Sequence, residues 1–72
     1  MIFKVLIVSE TGRTFYIDTV GSISGLFAKV FENFTEAESY AKSYVQKTFP
    51  SYKIYVEEYT SPYARRTYQV NV

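Results

Sequence analysis

Paired carboxylates are the first residues to weigh, since two that converge can act as acid and base or hold a metal ion. Glu57 and Glu58 are neighbours, and Glu36 and Glu38 stand two apart. Neighbours on a strand point to opposite faces, and residues two apart on a helix lie about 200° round from each other. Neither pair converges. Glu10, Asp18 and Glu32 are scattered and meet only if the fold brings them together. The chain has no histidine, the usual proton shuttle near neutral pH, and no cysteine to serve as nucleophile or thiolate ligand. No cofactor, metal site or catalytic activity is expected.

Tyrosine and arginine are the other residue types able to do something. The stretch "YTSPYARRTYQV" over 59–70 places Tyr59, Tyr63, Arg65 and Arg66 around a single turn. A hairpin needs only "SP" there, so Tyr63, Arg65 and Arg66 are surplus to the turn. They are two forked donors and an aromatic suited to an acidic protein partner. The arginines equally guard a sheet edge against aggregation.

Composition sets the limits within which these residues act. With 72 residues the chain makes one small domain over 1–72, and 8 Tyr and 6 Phe supply the bulk that no disulfide can replace. Eight basic and seven acidic side chains give a formal +1, so no bulk field holds the chain on a polyanion or an acidic membrane. "MIFKVLIV" is interrupted by Lys4 and far shorter than the roughly 20 apolar residues of a membrane span. It reads as a strand, and a cytoplasmic protein without membrane attachment is expected.

The elements follow from periodicity. Residues 2–8 are apolar on nearly every position, the mark of a central strand. Gly12 within "SETGR" permits a tight reversal into a second strand over 13–20, with Phe15 and Ile17 on one side and Thr14, Tyr16 and Asp18 on the other. "GSISG" reads as a flexible loop, since no lysine follows its glycines as phosphate binding would require. Residues 26–32 are predicted as a third strand in preference to a short helix.

Thr35 followed by Glu38 forms a capping box for a helix. Behind it Ala37, Tyr40, Ala41, Tyr44, Val45 and Thr48 make one stripe that must lie on a sheet, and Pro50 ends the helix. Two alternating strands close the chain, over 52–59 and 66–72. Tyr52, Ile54 and Val56 are assigned to the helix side with Tyr68, Val70 and Val72; Lys53, Tyr55, Glu57, Tyr59, Thr67, Gln69 and Asn71 face away.

The expected fold is α+β: a single antiparallel five-stranded sheet, βββαββ in the order 3-2-1-5-4, with one helix on one face. Tyr16, Tyr55 and Lys53 then stand on the open face. There they either stabilise the sheet through cross-strand pairs or offer a contact surface. A compact, aromatic-rich domain lacking cysteine and histidine resembles in type the accessory proteins with which bacterial viruses and mobile elements block or redirect host proteins. That resemblance implies a non-enzymatic, inhibitor-like protein-binding module and carries over no residues. A homodimer through the sheet face or an edge is a further use of the same surfaces. The alternative is single-stranded nucleic-acid binding by stacking on Tyr16, Tyr55 and Tyr59.

Overall fold

A computed structural model describes residues 1–71. Five strands form one sheet: β1 (Ile2–Val8), β2 (Thr14–Ile17), β3 (Ile23–Ser24), β4 (Lys53–Ser61) and β5 (Ala64–Gln69). Every neighbouring pair is antiparallel, and one helix, α1, over 34–48 packs on one face. The α+β class and the element order are as the periodicity predicts.

The strand order is β3-β2-β1-β4-β5, so β4 and not the last strand lies beside β1. The reason lies in residues 25–33. Lys29 N–H bonds the Ile17 carbonyl, and Phe31 exchanges both backbone bonds with Phe3, running antiparallel to it on the flank that the short β2 leaves free. This extra reversal starts the helix at the opposite end of the sheet from the one expected. The chain then enters β4 antiparallel to β1, with pairing from Ile2↔Tyr59 to Val8↔Lys53. Residues 26–32 thus form an irregular return with one bridge, and the third strand is the Ile23–Ser24 pair inside "GSISG". Ile23 pairs with Ile17 and packs against the core, which a solvated loop would not allow.

Alternation along the strands sorts the faces. Phe3, Val5 and Ile7 of β1 and Ile54 and Val56 of β4 are buried under the helix, joined by Ile17 and Phe31. From the helix come Ala37, Ala41 and Val45, small residues that let its axis approach the sheet. Aromatic rings then fill the perimeter of this contact. Phe34 meets Phe3 and Tyr68 edge-on, Tyr40 stacks on Tyr44, and Phe49 meets Tyr52.

The helix ends before Pro50 as predicted, with Phe49 out of helical dihedrals, and differs from expectation at its start and along its buried stripe. Its N-cap is Asn33, whose Oδ1 accepts from Glu36 N–H at 2.8 Å, and Thr35 lies within the first turn. Inside it, Ala41–Val45 forms a π turn between the α segments Phe34–Tyr40 and Gln46–Thr48. One extra residue in that turn advances the buried stripe by one position. Thr48 is therefore exposed, and Phe49 packs on the core in its place.

At the far end of the β4–β5 ladder, Asn71 is not a solvent-facing residue. Its Oδ1 accepts from Ile54 N–H at 2.7 Å and its Nδ2 donates to the Tyr52 carbonyl at 2.8 Å. The amide continues the ladder with side-chain atoms, which the period-two pattern does not foresee. The predicted inward side chain of Val72 lies outside the described residues. No helix among them is long and apolar enough to cross a membrane.

Candidate functional site

The hairpin joining β4 and β5 closes in two residues, Pro62 and Tyr63, between the paired Ser61 and Ala64. Proline presets the first turn position, and no non-glycine residue among those described has positive φ, so the turn is not of the primed type that matches strand twist unaided. A register shift between Tyr59 and Ser61 makes up the mismatch, with Thr60 as the extra residue and its hydroxyl donating to the Ala64 carbonyl at 2.8 Å. Ile2 of β1 reaches only as far as Tyr59, so the tip projects beyond the central strand. Tyr63 is 97% exposed there.

The two arginines behind the tip diverge. Arg65 lies on the open face, its guanidinium 5.2 Å from the centre of the Tyr59 ring. Arg66 lies on the helix side opposite Glu58. No carboxylate among the described residues lies within ion-pairing distance of Arg66, and Glu58 Oε1 accepts instead from the Tyr68 hydroxyl at 3.3 Å. A groove of about 380 Å³ runs beside the tip, lined by Glu58, Thr60, Tyr63, Ala64, Arg65 and Arg66. Of the four residues expected to bind a partner, Tyr63 and Arg66 are presented outward. Tyr59 and Arg65 are occupied with each other.

The open face is less open than its position implies. Glu57, directly across from Lys4, is 5% exposed although no helix covers it. Tyr16 donates to its Oε1 at 2.6 Å. The Lys4 ammonium stands 5.3 Å from the Tyr16 ring centre and 5.0 Å from that of Tyr59. Cation, carboxylate and rings thus cover one another.

Burial, then the hydrogen bond to Glu57 and its charge, push the Tyr16 phenol up to about 12. The phenol is a donor, not a base, at neutral pH. Tyr55 and Lys53 lie further along the same face, opposite Leu6 and Val8, outside this cluster. No three His, Cys, Asp or Glu side chains among the described residues come together to hold a metal.

A second exposed feature lies in residues 26–32, where a strand is predicted and none forms. Leu26 is 87% and Phe27 70% exposed, with Val20 and Val30 also exposed. The loop that carries them is ordered by polar side chains: Ser24 Oγ accepts from Leu26 N–H at 3.2 Å and from Phe27 N–H at 2.9 Å. Asp18 Oδ1 accepts in the same way from Val20 and Ser22. The sequence signal was the adjacent "LF" after "GSISG", where a buried strand would show alternation.

No protein-family model matches the chain, and no curated protein or solved structure matches it significantly.

Proposed function

We propose that the chain is a small non-enzymatic binding module that occupies a surface of another protein. In this it acts as the accessory proteins of bacterial viruses and mobile elements do when they block or redirect host proteins. One observation carries the proposal: Tyr63 stands 97% exposed on a proline turn projecting past the central strand, and behind it is the Arg66 guanidinium, which no carboxylate among the described residues pairs. An exposed ring on a stiff tip loses little entropy on binding, and Tyr and Arg are the residues that most often dominate interface energy. A partner with an apolar recess rimmed by carboxylates fits this tip.

Single-stranded nucleic-acid binding on the open face has weaker support. Tyr16 and Tyr59 would have to exchange their contacts with Lys4 and Arg65 for bases, and the Tyr16 hydroxyl is already held by a buried carboxylate.

The test is affinity capture of a partner from lysate, followed by titration of variants against the recovered protein and a short single strand. Tyr63→Ala or Arg66→Ala should weaken the protein complex, at least one of them by about 2 kcal/mol or more, with an unchanged thermal melt. If Tyr55→Ala instead weakens oligonucleotide binding, in a salt-dependent way, while the tip variants are silent, the module is a nucleic-acid binder.

A further inference from the structure

β5 is an edge strand, and none of its residues is buried. Val70 N–H bonds the Ile54 carbonyl at 2.8 Å, just beyond the end of β5. Antiparallel ladders alternate bonded and non-bonded pairs, so Val56↔Tyr68 and Glu58↔Arg66 are the bonded ones. The N–H and C=O groups of Arg65, Thr67 and Gln69 therefore point away from β4, outward along the free edge. The opposite edge, β3, has two residues and offers no such template. Among the described residues, β5 is the edge long enough to receive another strand.

Charge decides which strand. β5 carries Arg65 and Arg66 and no acidic residue. A second copy added antiparallel about Thr67 would set Arg66 opposite Tyr68 and leave the two Arg66 side chains as diagonal neighbours of like charge, so neither arginine meets a carboxylate across the seam. An acidic strand meets the reverse situation. Arg66 has no carboxylate of its own within ion-pairing distance among the described residues, and the groove along it leads from the tip onto the edge.

We propose that β5 is a docking edge for an extended acidic segment of the partner protein, which adds as a sixth strand. Its backbone bonds Arg65, Thr67 and Gln69, and its carboxylates flank Arg66. The proposal rests on the protein-capture reading and specifies the chemistry of what is captured. A second copy of β5 brings no acidic residue to Arg66, whereas an acidic strand does.

The probe is a synthetic peptide alternating valine or threonine with glutamate, compared with the same peptide carrying lysine in place of glutamate. Amide hydrogen exchange is followed by NMR. The glutamate peptide should slow exchange at Arg65, Thr67 and Gln69 by at least about tenfold, and the lysine peptide should not. Arg66 and Tyr68, already bonded to β4, should change little. Thr67→Pro should abolish the protection, because the N–H it removes faces outward and the ladder with β4 does not use it. Arg66→Glu, which leaves the backbone intact, should reverse the preference to the lysine peptide.

Equal protection by both peptides overturns the proposal, as does protection that persists in Thr67→Pro. Protection that rises with protein concentration in the absence of peptide would assign the edge to a second copy instead. Partner capture lost in Tyr63→Ala but intact in Thr67→Pro would keep the binding tip and reject the edge. Capture insensitive to Tyr63→Ala, Arg66→Ala and Thr67→Pro alike would reject the binding tip as well.

Discussion

The Tyr16 hydroxyl crosses the central strand to reach Glu57: the two lie on β2 and β4, with β1 between them, and their oxygens are 2.6 Å apart. Leu6 pairs with Tyr16 on one side, and Lys4 pairs with Glu57 on the other. The phenol is thus a strap over β1. It holds a carboxylate in place on a face where no helix excludes water.

Tyr16→Phe should therefore destabilise the fold by about 1 to 3 kcal/mol, because it leaves a buried carboxylate short of its donor. Tyr55→Phe, whose hydroxyl has no partner among the described residues, should be nearly silent. Urea denaturation of both variants checks this, and equal losses would mean that the strap contributes nothing.

The same bond predicts an alkaline signature. A free tyrosine loses its proton near pH 10, whereas Tyr16 in the fold holds it to about 12. The folded state then binds more protons than the unfolded state in this interval, so stability falls as pH rises. The contribution is complete below about pH 10 and is lost as pH passes through about 12. Tyr16→Phe should lose the last step of the phenolate absorbance titration and show a shallower decline of stability over this interval. Tyr40, also raised by burial and then by Tyr44, remains in both proteins and cancels in the comparison. Superimposable profiles would contradict the assignment.

At the helix start, Asn33→Ala should cost about 0.5 to 2 kcal/mol by freeing the Glu36 N–H. Thr35→Ala, at a site inside the helix with no cap bond, should stay within about 0.5 kcal/mol. Chemical denaturation separates the two. A larger loss at Thr35 would move the cap.

How much of this could be read from the residues depends on how local each feature is. The alternation of Ile54 and Val56 against Lys53, Tyr55 and Glu57 is set within one strand, and it survives intact in the fold. The Thr35–Glu38 spacing points to the wrong cap, and Asn33 stands three residues before Glu36 in the same way. Phe34 decides between them by packing on Phe3 and Tyr68, a contact no local pattern contains. Strand order failed for the same reason, since it turns on Phe31 returning to Phe3. At the candidate site, the exposed Tyr63 could be foreseen from the turn chemistry around Pro62. The burial of Glu57 could not, because it needs the register of three strands at once.

Asn71 offers a test of the ladder's end. Its amide both accepts from Ile54 N–H and donates to the Tyr52 carbonyl, so Asn71→Ala leaves two part-buried backbone groups without partners. A loss of about 1 to 3 kcal/mol is expected, with faster hydrogen exchange at Ile54. Asn71→Asp keeps an acceptor for Ile54 and should retain that protection in part. Unchanged exchange at Ile54 in the alanine variant would rule out the clasp.

Two glycines share one backbone conformation and differ in surroundings, which makes them a controlled comparison. Gly12 has φ +87° and Gly21 φ +85°, a region that disfavours any side chain by about 1 to 2 kcal/mol. A Cβ on Gly12 meets nothing within 4 Å, whereas one on Gly21 would stand 2.5 Å from the Tyr44 hydroxyl. That hydroxyl donates to the Gly21 carbonyl at 2.8 Å, so moving it aside also breaks the bond joining the helix to the β2–β3 turn. Gly21→Ala should therefore destabilise more than Gly12→Ala, by about 2 to 4 kcal/mol against about 1. Pairing Gly21→Ala with Tyr44→Ala removes the obstructing ring, and the double variant should lose less than the two single losses added together. Denaturation of the full cycle checks both points. Equal losses at the two glycines, with additive behaviour at Gly21 and Tyr44, would mean that backbone strain alone matters and that Tyr44 does not hold the turn.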